Sequence, residues 1–451
     1  MTTTAAPPDA TGISRPCNRC KEQEGTIDLR VAERVCKACF AYYVSSKAIK
    51  RLEALQRETS APRSGSGPRG QRQRQRYLVG LSCGPSSTAL LHVLTENVRQ
   101  QQARGQKTAR FEYVAVHVVD DTLLGSSSVE AEEPYLAAYR ARFPDADLLS
   151  VPLSSALALQ SVDWAALPSP SPSPNPNTPL PPAHQLSSIL SLLPSPTSRA
   201  DVRRLLVRHI LVATAARRGC DALLLGHSTT SLAELTLSET AKGRGFSLPY
   251  LVNDGLVPVP ARLDVNNAAS VDTDTNSNGT ESDPSTPTPT TLPIYSPLRE
   301  LFRKELLTYL SYTTPPLTPL LPSSETTNSN GAVVSHRDLS IDDVLSRYFS
   351  TVEESYPSVV ANVVRTTGKL SRRPGGHDHD HGADSNGNDH SNGSSGRNEE
   401  ATCGLCAAGI DEQGDERWRG EIGSGSGAAG ETEDGRGKPR LCYGCERSIH
   451  G

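Results

Sequence analysis

The sequence predicts an α/β fold with a parallel, doubly wound sheet, small four-cysteine modules at both ends, and long disordered insertions. An apolar run at residues 77–81 meets a helical pattern through a small polar turn, and a second apolar run follows at residues 111–120. That succession is a βαβ unit, which requires parallel strands. A second strand-to-helix junction lies at residues 221–231, and eight of the ten cysteines stand in Cys-x-x-Cys pairs.

Composition bounds how much of the chain can pack into a core. The 451 residues include 34 Pro and 35 Gly, and only 36% are apolar, so much of the chain is not core. The net charge of -4 hides a basic stretch, residues 47–76. The chain lacks the roughly 18 consecutive apolar residues that cross a bilayer, and its first residues lack the apolar part of a signal peptide. We therefore expect a soluble intracellular protein.

The N-terminal cysteines have the spacing of a structural zinc ribbon. Cys17 and Cys20 form one pair, and Cys36 and Cys39 follow after fifteen residues. Two thiolates two residues apart can reach one tetrahedral centre. The alternative, a redox Cys-x-x-Cys, would need a βαβ unit around it. We predict a zinc module over residues 17–60, after a disordered start at 1–16.

A basic linker at residues 61–76 follows the helical pattern that succeeds Phe40. Gly, Ser and Pro prevent regular structure there, and arginines alternate with glutamines towards its end. Such an arm suits a phosphate backbone, because each neutralised phosphate releases counterions. A solvated linker without a partner is an equal alternative. The candidate nucleic-acid contacts are Arg69, Arg72, Arg74 and Arg76.

The junction after the first strand of the sheet is a candidate phosphate-binding loop. Backbone N–H groups and hydroxyls there would lie at the positive end of a helix, predicted from Thr88. A turn of this kind that binds nothing is slightly favoured on local grounds. The second junction, at residues 226–228, would lie at the same edge of the sheet, where open parallel sheets bind ligands. The candidate residues are Ser82, Gly84, Ser86 and Ser87.

The rest of the central domain, residues 77–370, alternates regular and irregular segments. Residues 146–153 fit a third strand, Asp201 is a candidate cap for the helix that ends at Gly219, and a helix should begin at Ser296. Two more helical stretches are expected within residues 341–370. Pro-, Ser-, Asn- and Thr-rich composition predicts disordered insertions near residues 165–185, 263–291 and 313–338.

The C-terminal cysteines repeat the opening pattern with a longer separation. Residues 371–400 form a low-complexity linker, and the module at 401–451 follows. Thirty-five residues separate its two cysteine pairs, a length that loop entropy tolerates. Whether the two sets make one site or two remains open from the sequence. The predicted ligands are Cys403, Cys406, Cys442 and Cys445.

The order of these features resembles the cytoplasmic tRNA 2-thiolation protein 2 family, a branch of the PP-loop, or adenine-nucleotide alpha hydrolase, group. The nearest matches are CNRCKEQEG, CKACF and GLSCGPSS. The resemblance implies a cytoplasmic subunit that serves 2-thiolation of the wobble uridine in tRNAs for Lys, Glu and Gln. It also implies tRNA binding, a catalytic PP-loop paralogue as heterodimer partner, and sulfur from a thiocarboxylated ubiquitin-like carrier.

The loop departs from the Ser-Gly-Gly-x-Asp-Ser pattern of active members, which binds ATP phosphates. Three positions are kept: Ser82, Gly84 and Ser87. Three differ: Cys83 replaces the first glycine, Pro85 removes an N–H donor, and Ser86 replaces the aspartate. The second loop, residues 226–234, lacks both aspartates of its relatives. The resemblance therefore implies a subunit without catalytic residues of its own.

Cofactor expectations follow from the same comparison. Between the two cysteine modules the sequence contains only Cys83 and Cys220, too few thiols for the three ligands of an iron–sulfur cluster. We expect zinc, weak or no ATP binding, and no iron–sulfur cluster. Two other readings stay open: an active ATP-dependent adenylating sulfurtransferase with an unusual loop, and a zinc-dependent protein-interaction scaffold.

Overall fold

The computed structural model describes residues 15–29, 33–59, 74–105, 110–122, 129–170, 180–259, 290–322, 339–370, 402–410 and 441–451. Arg69 and Arg72, the linker at 371–400, and most of the predicted insertions lie outside these residues. No helix within the described ranges is long and apolar enough to span a membrane.

The N-terminal module consists of a short hairpin and a long helix. Its elements are β1 (Ile27–Leu29), β2 (Glu33–Val35) and α1 (Lys37–Thr59). The two strands pair antiparallel, with Ile27 opposite Val35. Phe40, Val44 and Leu52 on α1 are buried, so the helix packs its apolar side on the central domain. The first cysteine pair precedes β1, and the second lies where β2 gives way to α1.

A six-stranded sheet forms the centre of the molecule. Its strands are β3 (Gln75–Gly80), β4 (Phe111–Val119), β5 (Asp147–Pro152), β6 (Ala222–Leu225), β7 (Gly255–Val259) and β8 (Thr290–Tyr295). The order is β5-β4-β3-β6-β8-β7, and only β7 runs antiparallel to its neighbour. The predicted parallel, doubly wound sheet is confirmed. Strand β8 was missed because its Thr- and Pro-containing sequence reads as the end of an insertion.

Helices cover both faces of the sheet. They are α2 (Pro85–Ala103), α3 (Val129–Arg142), α4 (Pro182–Ser191), α5 (Pro196–Arg217), α6 (Thr229–Ala241), α7 (Leu248–Val252), α8 (Arg303–Tyr312), α9 (Ile341–Ser355), α10 (Pro357–Thr367) and α11 (Tyr443–His450). Tyr77 and Val79 face the core made with α1, α2 and α8. Leu78, on the opposite face of β3, packs with α5. This alternation is the period-2 pattern of a strand buried on both faces.

Two predicted helix starts are wrong. Helix α2 begins at Pro85 rather than Thr88, because a proline at the first helical position is compatible with a helix. Helix α5 begins at Pro196, where the Ser195 hydroxyl accepts a hydrogen bond from the Ser198 N–H. Asp201 is therefore not a cap: it lies inside the helix, fully buried.

The segment around residues 296–322 also differs from the prediction. Helix α8 begins at Arg303, where the Glu305 carboxylate accepts from the Phe302 N–H. Residues 313–322, assigned to an insertion, pack on the domain instead, with Leu317 and Leu321 buried in the core. Apolar residues at both ends of a short, Pro-containing turn anchor it there. The two helical stretches predicted within residues 341–370 are present as α9 and α10.

Candidate nucleotide loop and metal sites

The two predicted loops lie side by side at the carboxyl edge of the sheet. Strands β4 and β5 lie on one side of β3, and β6 and β8 lie on the other. The chain therefore reverses its winding between β3 and β6, the switch point where open α/β sheets hold ligands. Residues 82–87 follow β3, and residues 226–228 follow β6. The fold thus positions both loops as a nucleotide site would require.

The loops touch each other through a glycine. A Cβ added at Gly226 would lie 2.6 Å from the Ser87 Cα and 2.7 Å from its backbone nitrogen, so no other residue fits without moving the backbone. The Ser82 and Ser87 hydroxyls lie 3.1 Å apart, and Ser87 Oγ also donates to the Gly84 carbonyl. Ser82 is exposed, Gly84 and Ser86 are partly exposed, and Ser87 is buried. Hydrogen bonds within the loop therefore engage the Ser82 and Ser87 hydroxyls.

Cys83 stands where the Ser-Gly-Gly-x-Asp-Ser pattern has its first glycine. Its φ is +61°, in the left-handed region that residues with a Cβ seldom adopt. The side chain is buried, and its Sγ lies 3.5 Å from Nδ1 of His117. The Tyr139 hydroxyl donates to the Cys83 carbonyl. The backbone keeps the conformation that a glycine would have, while the cysteine side chain fills space inside the domain.

Carboxylates are absent from the first loop, and those nearby already bind protein groups. Asp121, after β4, accepts from the N–H and hydroxyl of Ser154. Asp254, next to β8, accepts from the Ser296 N–H and pairs with Arg299 at 3.0 Å. Neither aspartate was singled out from the sequence, because each lies outside the two loop motifs. Both carboxylates therefore hold neighbouring segments together at the carboxyl edge of the sheet.

The second loop and the helix α6 that follows it each contain a titratable group with a shifted pKa value. Burial, together with nearby arginines, lowers the pKa of His227 to about 4, so the ring is neutral near pH 7. Its Nδ1 lies 3.5 Å from the Ser296 hydroxyl. Burial raises the pKa of Glu234 to about 7. Glu234 lies on α6, which packs against α9, so its carboxyl belongs to a helix interface.

The four N-terminal cysteines come together as predicted. The Sγ atoms of Cys17, Cys20, Cys36 and Cys39 all lie within 4.8 Å of one another. Those of Cys20 and Cys36 are 3.8 Å apart, which is about the edge of a tetrahedron with metal–sulfur bonds of roughly 2.3 Å. The Cys39 N–H donates to the Cys36 sulfur, as expected for a thiolate in a knuckle. The donor set fits a tetrahedral divalent ion.

The four C-terminal cysteines form a second, separate group. The Sγ atoms of Cys403, Cys406, Cys442 and Cys445 also lie within 4.8 Å of one another, and those of Cys406 and Cys442 are 3.7 Å apart. Hydrogen bonds from the other three thiols lower the pKa of Cys403 well below its usual range. Each group of four is complete in itself, so the described residues contain two metal-compatible sites, not one shared site. A bound metal would cross-link its two knuckles.

The structure describes only part of the predicted cationic arm. Arg76 lies on β3 and pairs with Glu112 at 3.0 Å, and Arg74 approaches the same carboxylate at 3.3 Å. These two arginines are therefore partly neutralised by strand β4. Arg69 and Arg72 lie outside the described residues. The assignment of all four to nucleic-acid binding stays a prediction.

Sequence comparison places the chain among known proteins. A family described as cytoplasmic tRNA 2-thiolation protein 2 matches residues 340–447. A protein of that name from Phaeosphaeria nodorum is 33% identical over 440 residues, which cover 97% of this chain and 95% of the relative. Another, from Sclerotinia sclerotiorum, is 35% identical over 358 residues, covering 79% and 83%.

A solved structure is also similar. The U34-tRNA thiolase NcsA from Methanococcus maripaludis, with its 4Fe–4S cluster, is 14% identical with a TM-score of 0.44, over 78% of this chain and 85% of that one. The two relatives named above are far more similar in sequence, and the one from Phaeosphaeria nodorum matches almost end to end. On their identity and coverage, the chain belongs to the cytoplasmic tRNA 2-thiolation protein 2 family.

Proposed function

We propose that this protein is the non-catalytic subunit of a cytoplasmic tRNA-thiolation complex that 2-thiolates wobble uridine. The family membership supports the process, since its relatives are named for tRNA 2-thiolation. One observation supports the non-catalytic role. The two loops at the switch point keep their position and contact, yet the first has no carboxylate and the second has only Glu234, which lies at the helix interface.

The chemistry explains why that loss matters. Adenylation of a uridine carbonyl by ATP develops negative charge on the phosphates, and magnesium held by carboxylates normally stabilises such charge. A loop without the aspartate, with Pro85 in place of an N–H donor, supplies little of this stabilisation. The central domain also lacks an accessible thiol for sulfur transfer. Cys83 and Cys220 are buried, and burial raises the pKa of Cys220 to about 11.

In this proposal a catalytic PP-loop paralogue supplies ATP and sulfur chemistry as heterodimer partner. Its sulfur would come from a thiocarboxylated ubiquitin-like carrier, and its substrates would be tRNAs for Lys, Glu and Gln. This chain contributes folded surface and tRNA contacts. Zinc is our proposal for both four-cysteine sites, because four thiolates in tetrahedral geometry suit it.

Reconstitution of the complex tests which of the two subunits carries the thiolation activity. The purified chain alone should give no ATP-dependent thiolation of tRNA, and addition of the catalytic paralogue should restore it, with 2-thiouridine measured by mass spectrometry. The paralogue alone is the matched control and should be slower than the pair. Thiolation by this chain alone would instead support the alternative of an active enzyme with an unusual loop.

The arm can be tested through the salt dependence of tRNA binding. Replacing Arg69 and Arg72 with Gln should reduce the slope of log K against log salt by about 0.7 to 0.9 per arginine that contacts phosphate. Replacing Arg74 and Arg76 should reduce it less, because both already lie near Glu112. Arg99→Gln, on α2, is a control that should leave the slope unchanged. An unaltered slope in all variants would make the arm a linker.

A further inference from the structure

Arg244 lies between the C-terminal cysteine site and the central domain. Only 1% of the residue is exposed. On one side its Nη2 donates to Cys445 Sγ at 3.5 Å and to the Ser448 hydroxyl at 3.2 Å. The Cys445 thiol belongs to the four-cysteine group, and Ser448 lies on α11. Cys445 also lies on α11, so the guanidinium contacts a predicted ligand atom and a second side chain of the same helix.

On its other side Arg244 contacts the carboxylates of two helices. Nη1 donates to Asp201 on α5 at 2.9 Å and to Glu239 on α6 at 3.2 Å. Asp201 also accepts from the Ser448 hydroxyl at 2.7 Å, which closes a ring between α5, Arg244 and α11. A planar guanidinium suits this role, because its N–H groups diverge in fixed directions.

The buried charges make this arrangement costly to disturb. Asp201 and Glu239 are fully buried and also pair with Arg204 and with Lys242. Four thiolates around a divalent ion add a net charge of -2 nearby, and such charge needs hydrogen-bond donors when water is excluded. Among the residues that the structure describes, Arg244 is the cationic side chain that donates to a sulfur of this group.

The spacer glycines of both C-terminal knuckles fit the same contact surface. A Cβ added at Gly444 would lie 2.3 Å from Arg244 Cγ and 2.9 Å from the Lys242 carbonyl oxygen, and one at Gly404 would lie 2.8 Å from Asp163 Cβ. The Asp163 N–H donates to the Gly404 carbonyl, and the Leu405 carbonyl lies 2.9 Å from His209 Nε2. The knuckles are thus shaped to lie against the central domain.

We propose that Arg244 is a positioning residue of the C-terminal metal site. It holds Cys445 for metal binding and balances the charge of the thiolates. A divalent metal bound there fixes α11 and both knuckles against α5 and α6, so metal affinity and the packing of this face are linked. The N-terminal site has no such cation among the described residues: Arg19, beside Cys20, pairs with Glu33 instead. The two sites should therefore respond differently to the loss of an arginine.

Trp164 offers a local readout. It packs on the apolar cluster that contains Cys403, Leu405 and Cys445, and its neighbour Asp163 binds Gly404. The sequence has one other tryptophan, Trp418, so Trp418→Phe leaves Trp164 as the single tryptophan, which can be excited selectively over tyrosine. Its fluorescence then reports whether the C-terminal knuckles lie against the domain, independently of any thiolation assay.

The experiment uses the full-length Trp418→Phe protein loaded with zinc. A chelator titration follows zinc per chain by mass spectrometry and Trp164 emission in parallel. Cys445→Ser should remove the step in which the C-terminal site releases its zinc, and Cys36→Ser the step of the N-terminal site, so the two variants assign the steps. We expect Arg244→Met to raise the dissociation constant of the C-terminal zinc about 10- to 100-fold, with the Trp164 change moving to lower chelator concentration and the other zinc unchanged. Arg19→Met is the matched control and should move neither the C-terminal step nor Trp164.

Arg244→Met also deprives Asp201 and Glu239 of a partner, so Arg244→Lys is the second variant. It keeps the charge but not the fork of donors, and it should raise the same dissociation constant by less. If Arg244→Met does not fold, Arg244→Lys decides the matter. Release of the C-terminal zinc at the wild-type chelator concentration in the folded variant, or equal weakening of both zincs, would overturn the proposal.

Discussion

The cysteine sites at the two ends and the loop pair at the centre differ in completeness. Each cysteine site brings four sulfurs within 4.8 Å. The loop pair has the correct position at the switch point, and Gly226 packs directly on Ser87, but its first loop has no carboxylate. This chain therefore retains the cysteines of both sites and the contact between its loops, whereas its first loop lacks the carboxylate that would help to stabilise phosphate charge.

Loss of a metal ligand should have the largest effect. Cys445→Ser removes one sulfur from the site that is packed on α5 and α6, and we expect the free energy of unfolding to fall by about 4 kcal/mol or more. Cys36→Ser should also release one metal, with a smaller fall, because no buried arginine like Arg244 joins that site to the carboxylates of the central domain among the described residues. Thermal unfolding with metal content measured on the same samples checks both. Equal stability of Cys445→Ser and wild type would contradict the claim that the C-terminal cysteine site stabilises the fold.

The second-largest effect on stability is expected at the contact between the two loops. Gly226→Ala places a Cβ against the Ser87 backbone, so we expect a loss of about 3 kcal/mol from overpacking. Gly245→Ala is the control, since a Cβ there meets nothing within 4 Å and the change should be near neutral. Denaturant unfolding measures both. If Gly226→Ala is as stable as Gly245→Ala, the loops are not in the contact described.

The pH dependence tests the helix interface beside the second loop. Because burial raises the pKa of Glu234 to about 7 from about 4.5 in the unfolded chain, the folded state binds more protons between these values. Glu234 therefore stabilises the fold at low pH, and its contribution decreases as the pH rises from about 4.5 to 7. Melting temperatures across this range should show a smaller decline in Glu234→Gln. Parallel curves for the two proteins would contradict the assignment.

The smallest effect is expected at Ser87. Ser87→Ala removes hydrogen bonds to Ser82 and Gly84, which costs about 1 kcal/mol of stability. Thiolation by the reconstituted complex should be unchanged within about twofold if, as we propose, the loop has no catalytic role. The equivalent substitution in the catalytic paralogue serves as control and should abolish activity. A large loss of activity in this chain's variant, at unchanged folding, would indicate that this loop binds a nucleotide after all.

Sequence reasoning found the parts of the molecule that are local in the chain. Strand β3 and the four cysteines at each end are visible from apolar runs and fixed spacings. Strand β8 was hidden because its Thr- and Pro-containing sequence resembles the end of an insertion, and its pairing with β6, about 70 residues earlier in the chain, leaves no local pattern. Residue Asp201 was misread as a helix cap for a similar reason, since its partner Arg244 is contributed by a distant turn. Contacts across such separations follow from the tertiary fold and leave no local pattern.

We propose that the loop binds nucleotide weakly or not at all, and calorimetric titration of the purified chain with magnesium ATP is the direct test. We expect no saturable binding up to millimolar ATP, with the folded state and both metals verified in the same sample. Magnesium-dependent binding in the micromolar range that disappears in Ser87→Ala would contradict it and favour the alternative of an active adenylating enzyme.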